Sequence, residues 1–264
     1  MKISLKTASV ALGILLYGCA GNNQMLAGRS SSGIIVSDDF ESTPVGAIPA
    51  GFTKTGEIGV EEGVAHSGKH ALKVEPAVKG GRFINLAPDK VAALGGEHWG
   101  RLYYKVKTPT PMPTGRLIHA TLVDGKGTSP LANDLIDVRL ATLLFYPNGD
   151  FNYFYNVQPP SGRKEFGPKS ATIQKFNDEW TLLEWHADAA TQTYAFFVNG
   201  KEVVDIGQHK GAGNYEGIEI PAVFQTLSIG FTNYQPATGE GFTVWIDDIA
   251  VGKKRLGPVH GAAK

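Results

Sequence analysis

Along most of the chain, apolar and polar residues alternate in runs of about five to nine, broken by Gly, Pro and Asn, which is the period of short antiparallel strands. The pattern predicts strands over Ile34–Phe40, Gly59–Val64, His70–Val74, Arg82–Asn85, Gly100–Lys107, Arg116–Val123, Ile136–Tyr146, Phe151–Asn156, Trp180–Ala187, Thr193–Val198, Lys201–Ile206, Thr226–Asn233 and Thr243–Val251. Helical periodicity is nearly absent, and only Pro88–Leu94 suits a brief helical turn. Two hairpins are clearest. Pro147-Asn148-Gly149-Asp150 separates one pair of strands and Asn199-Gly200 another, and Asn-Gly supplies the positive φ of a tight turn. In the second hairpin Tyr194, Phe196 and Val198 alternate with Ala195 and Phe197, so both faces are apolar, which predicts a central strand. So many short strands predict an all-β fold, a two-sheet antiparallel jelly-roll sandwich larger than an immunoglobulin-like domain.

The N-terminus breaks the pattern. Lysines lie in Met1–Lys6, an apolar run covers Ala8–Tyr17, and Leu16-Tyr17-Gly18-Cys19 follows, with Cys19 the only cysteine of the chain. The run is shorter than the roughly 20 residues that span a bilayer, and a cysteine after a small residue suits lipoprotein processing. The segment resembles a bacterial lipobox, with Tyr17 bulkier than usual. The expectation is a signal peptide over 1–18, a lipidated Cys19 on a Gly/Asn/Ser-rich tether over 19–33, a domain over 34–252 and a short basic tail over 253–264. The other reading is ordinary secretion with a free thiol. Ala20 after the cysteine resembles the signal for the bacterial outer membrane, facing periplasm or cell surface, with the lipid as membrane partner.

Removing 1–18 leaves 246 residues and takes away Lys2 and Lys6, moving the formal charge from 0 to −2. No basic field is present for nucleic acid. With no cysteine pair, the domain depends on its apolar core, with or without a metal.

Four segments together look like the concanavalin A-like jelly roll of carbohydrate-active proteins: Asp38-Asp39-Phe40-Glu41, Ala65 through Val74, Trp180 through Lys201, and Phe242-Thr243-Val244-Trp245-Ile246-Asp247-Asp248-Ile249. Within that superfamily the chain resembles the glucuronan-lyase-like group, which includes fungal cellulose-induced secreted proteins. The resemblance implies an extracellular polysaccharide as partner and a structural Ca²⁺ held by a carboxylate, two turn carbonyls and an aspartate of the last strand. On this chain those positions are Glu41, Ser67, His70 and Asp247, with His70 giving its backbone oxygen. Carboxylate and carbonyl oxygens are the ligands Ca²⁺ favours. Edge carboxylates that merely cap strand ends are the alternative. Asp247 and Asp248 point to opposite faces of a strand, and the resemblance favours Asp247.

A polar and aromatic face is the second candidate site. His119 shares a strand face with Thr121, Asp137 shares one with Arg139, and Phe151, Tyr153 and Tyr155 share another. A lyase of uronic-acid polymers must neutralise the sugar carboxylate, remove the C5 proton and protonate the leaving oxygen. Arginine suits the first task, and His or Tyr the others. The assignment is Arg139 for the carboxylate, His119 as base or carboxylate ligand, Tyr155 as acid or base, and Asp137 as orienter. Non-catalytic glycan binding and a purely structural cluster stay open.

Other chemistries find less support. The Gln-x-His strand signature of alginate lyases is not found, since Gln208 and His209 are adjacent and Leu117 stands two before His119. No Glu-x-Asp-x-x-Glu strand motif offers paired glycosidase carboxylates, and no nucleophile elbow supports a serine hydrolase. Glu184, His186 and Asp188 alternate along one strand, a pattern shared by metal sites and solvated faces. His98-Trp99 and Asn233-Tyr234-Gln235 read as loop or sugar-platform residues.

Overall fold

The computed structural model describes residues 33–113, 115–160, 162–210 and 219–259. Cys19, the signal peptide and most of the tether lie outside the described residues. Fifteen strands and one short helix follow in the order β1 (Ile34–Asp38), β2 (Phe52–Thr55), β3 (Ile58–Glu62), β4 (His70–Val74), β5 (Gly80–Leu86), α1 (Pro88–Leu94), β6 (Glu97–Val106), β7 (Ile118–Thr128), β8 (Leu135–Phe145), β9 (Phe151–Gln158), β10 (Thr181–Asp188), β11 (Thr193–Val198), β12 (Lys201–Glu202), β13 (Gln208–His209), β14 (Phe224–Asn233) and β15 (Val244–Gly252). They form two antiparallel sheets, a jelly-roll sandwich. One has nine strands, ordered β12-β11-β10-β6-β15-β4-β3, with β1 on β15 and β13 on β11; the other runs β2-β5-β14-β7-β8-β9.

The core lies between the sheets. Alternate residues of every long strand supply it, among them Leu72, Ile84, Leu102, Leu143, Tyr155, Trp185, Phe196, Phe231 and Ile246. Gly100 faces Trp185 across the β6–β10 pair, and a Cβ there would overlap the indole ring. The missing side chain makes room for the largest residue of the core.

Phe52–Thr55, outside the predicted strands, pairs with β5 at the sheet edge. Two expectations need correction. The run from Lys201 to Ile206 keeps strand form only to Glu202, because a turn follows in which the Ile206 amide donates to the Val203 carbonyl and the Gly207 amide to the Val204 carbonyl. β11 is not central: it lies between β10 and the short β12 and β13. Its outward-facing Phe197 is covered instead by Arg255, whose guanidinium carbon lies 3.8 Å from the ring centroid.

Arg255 belongs to Lys253–Val259, which runs back over the outer face of the nine-stranded sheet. Its guanidinium takes both Glu184 oxygens, at 3.2 and 2.9 Å, the Gly257 amide donates to Glu184, and the Val259 amide donates to the Tyr103 hydroxyl. Edge strand β9 is protected in a related way. The chain from Phe166 to Gln174 exchanges backbone hydrogen bonds with Phe151, Tyr153, Tyr155 and Val157, covering what would be a free sheet edge.

Candidate functional site

The outer face of the six-stranded sheet owes its composition to two bulges. At β7 the register shifts near Val123, so that Leu122 and Val123 both enter the core; at β8 Leu140 and Ala141 do the same. The extra residue in β7 brings Asp124 onto the face that already carries His119 and Thr121. In register, Asp124 stands opposite Arg139 and Lys126 opposite Asp137. From β9, Asn156 stands opposite Arg139 and Gln158 opposite Asp137.

Arg139 is the hub. Its Nη1 donates to Asn156 Oδ1 at 2.6 Å and its Nη2 to Gln158 Oε1 at 2.5 Å, while Nε is buried without a partner. Glu165 stands 3.9 Å away, and the Tyr234 ring lies over the guanidinium, 4.0 Å from its carbon. Tyr234 is fixed by its backbone: its amide donates to the His119 carbonyl at 2.9 Å, and the His119 amide donates to Gln235 Oε1 at 2.7 Å. The Asn233-Tyr234-Gln235 loop is thus clamped to β7 at His119.

The surroundings set the charge states. Burial lowers the His119 pKa; Glu165 pulls it back up and Arg139 pushes it further down, so the ring is neutral near pH 7. Burial raises the Tyr234 phenol, which keeps its proton. Asp137 pairs with Lys126 at 3.3 Å.

The structure therefore brings His119, Arg139 and Asp137 to one face. Tyr155 does not join them. Its ring points into the core, stacked on Tyr194 at 4.1 Å, fully buried, with an unpartnered hydroxyl and a pKa that burial holds well above its ordinary value. Alternation along β9 puts Tyr155 behind the sheet and Asn156 in front of it, so Tyr155 cannot serve as acid or base at this face. Tyr234 is the phenol that meets Arg139. Asp124 and Tyr234 were missed as members of this cluster because a bulge leaves no mark in the alternation and a loop has no period; the polar Asn-Tyr-Gln run was the one available signal.

The calcium candidates gather at a different place, on β15. One edge of β15 follows β6; the other is shared by β4 at Val244–Ile246 and by β1 at Ile249–Gly252. Between those partners the strand bulges, with Asp248 at φ 48°, and the turn before β4 fills the gap. Asp247 Oδ2 accepts the amides of His66 and Ser67 at 2.7 and 3.1 Å, and Glu41 Oε1 accepts those of Lys69 and His70 at 2.7 Å each. Gly68, at φ +63°, passes so close to the Glu41 carboxylate that a Cβ would collide with it. Asp248 pairs with His66 Nδ1 at 2.6 Å and accepts the Ser67 hydroxyl at 3.0 Å. Burial, and the neighbouring Asp248 carboxylate, push Asp247 up to about 7. Glu41 and Asp247 thus both accept backbone amides of the one turn that carries Ser67 and His70; carboxylate and carbonyl oxygens of this kind are the donor set Ca²⁺ takes.

The alternating acids of β10 are engaged separately: Glu184 with Arg255, His186 with Glu97 at 3.0 Å and stacked on Trp99, and Asp188 with the Ala190 amide and the Thr191 hydroxyl. Among the described residues no three His, Cys, Asp or Glu side chains converge as a metal site, and no helix is long and apolar enough to cross a membrane.

No family model matches the chain, and no curated protein does. Solved structures do. The cellulose induced protein Cip1 superposes with a TM-score of 0.58 at 16% identity, covering 85% of this chain and 100% of that one. The conserved carbohydrate esterase of the Shiga toxin-encoding bacteriophage phi24B superposes with a TM-score of 0.51 at 17% identity, covering 84% and 98%. At these identities the likeness is one of fold, and the chain has the two-sheet jelly-roll-like fold of these proteins.

Proposed function

We propose that this protein acts on extracellular polysaccharide at the outer face of its six-stranded sheet, by β-elimination of a uronic-acid polymer. The observation that carries the reading is the meeting of a neutral His119, a protonated Tyr234 and the Arg139 guanidinium on one face. Arg139 offsets the sugar carboxylate and so acidifies the C5 proton. His119 removes that proton, the C5–H electrons form the C4=C5 bond, the C4–O bond breaks, and the Tyr234 phenol protonates the departing oxygen. Asp137 holds Lys126 beside them.

A second reading, glycan binding without turnover, is favoured by Arg139 itself. Both of its terminal nitrogens are already taken by Asn156 and Gln158, as befits a rigid platform as much as a catalytic clamp. Incubation with glucuronan and related polyuronates, followed by the ultraviolet absorbance of unsaturated ends, separates the two. Turnover that falls at least about a hundredfold in Tyr234→Phe and His119→Ala but stays near wild type in Tyr155→Phe supports elimination. Retention on a polyuronate without product overturns it in favour of binding.

On the same reading Ca²⁺ is structural, held by the Glu41 and Asp247 carboxylates and the Ser67 and His70 carbonyl oxygens, where its charge would offset the buried Asp247 carboxylate. Cys19 carries lipid and anchors the domain to the bacterial outer membrane, on the periplasmic or surface side. Metabolic labelling with a fatty acid checks the anchor: label retained in Cys19→Ser refutes it.

A further inference from the structure

Asp124 has no role in the chemistry above, although it stands at its centre. It is half-buried, turned outward by the β7 bulge, and directly opposite Arg139 in the ladder. Its Oδ1 is enclosed without a hydrogen-bond partner. An ionised carboxylate only accepts hydrogen bonds, so an enclosed, unpartnered oxygen penalises the charged form, whereas a carboxylic acid can donate. The neighbouring cation does not serve it: Lys126 pairs with Asp137. Arg139 spends its terminal nitrogens on two neutral amides, and its one carboxylate neighbour, Glu165, stands beyond hydrogen-bond reach at 3.9 Å.

We infer that Asp124 sets the charge of the sugar that this face accepts: carrying its proton, it leaves the Arg139 charge to attract an anionic residue, and ionised, it offsets that charge and repels the ligand. The inference rests on the proposal that the face binds acidic polysaccharide. The groups that face Asp124 are Asp137 and Arg139 from β8, Lys126 on its own strand and Tyr234 from the loop after β14, while the β14 residue opposite it is the uncharged Ser228. Burial, then Asp137, raise its pKa to about 7 against the pull of Arg139 and Lys126, which places the change of state within the range where a neutral His119 persists.

The test measures binding of a short oligoglucuronate and of the matching neutral oligoglucoside to the whole protein, below about pH 6 and above about pH 8. Wild type is expected to lose at least about tenfold in affinity for the acidic probe across that range, with the neutral probe unaffected. Asp124→Asn, which mimics the protonated acid, is expected to bind the acidic probe equally at both ends. Asp124→Ser removes the charge with a smaller group and gives the same flat profile if the amide disturbs packing. A wild-type loss that survives unchanged in both variants overturns the role of Asp124 alone. Failure of wild type to bind the acidic probe at either pH overturns the polyuronate reading beneath it as well.

Discussion

His98 offers the sharpest test of the packing. It lies on β6 facing the core, fully buried, edge-on to Phe224 with ring centroids 5.1 Å apart, and neither ring nitrogen has a partner. Burial, and then the neighbouring His186 and Lys253, lower its pKa from 6.5 to about 3. The folded protein therefore holds a neutral ring while the unfolded chain takes up a proton below about pH 6.5, so stability present above that pH is lost as pH falls toward 3. A shift of about 3.5 units corresponds to about 5 kcal/mol in full, or about 1.4 kcal/mol per pH unit within the window. Asp124 and Asp247 act with the opposite sign. Their raised values, about 7 each, mean that the folded state keeps protons the unfolded chain has released, so their contribution declines as pH rises from about 4 to 7. The wild-type pH profile alone mixes these effects, but the difference between wild type and His98→Leu isolates the histidine. Urea unfolding followed by tryptophan fluorescence should show the variant gaining on wild type by about 2 kcal/mol between about pH 6.5 and 4.5. Parallel curves for the two proteins would refute the claim that the ring is buried neutral and unpartnered.

Two further outcomes follow from local geometry. Gly100→Ala drives a methyl group into the Trp185 indole and should lower unfolding free energy by about 3 kcal/mol, seen as an earlier urea midpoint; an unchanged midpoint would show that the sheets can part at no cost. Added Ca²⁺ should stabilise the protein, by about 2.7 kcal/mol at a hundred times its dissociation constant, and a chelator should reverse the effect. Asp247→Asn and Glu41→Gln should abolish this response in a thermal melt, and an equal response in both variants would rule out the site.

The two-sheet architecture was legible because half-buried strands print their burial into alternation, and because Asn199-Gly200 and Pro147–Asp150 mark their turns by backbone chemistry. Face assignments held within an unbroken strand: Asp137 and Arg139 share a face, as do Tyr153 and Tyr155. They failed across bulges and between strands, since nothing in Leu122-Val123 announces that both turn inward, and nothing in β9 says which of its faces meets Arg139. Short elements escaped for a different reason. Phe52–Thr55 is mostly exposed and polar, and it is a strand because β5 needs a partner rather than because its own residues demand one.

The place of β15 has a consequence for how the chain becomes a protein. The last strand of the fold sits inside its larger sheet, with β6 along one edge and β4 and β1 along the other. Until Val244–Gly252 arrives, three earlier strands have no common partner and the nine-stranded sheet is in three pieces, β1 standing alone. The larger sheet is thus completed only once the last strand of the fold has been made. Stopping the chain before Val244 should yield no smaller domain, only a polypeptide with two open sheet edges awaiting a strand that never comes.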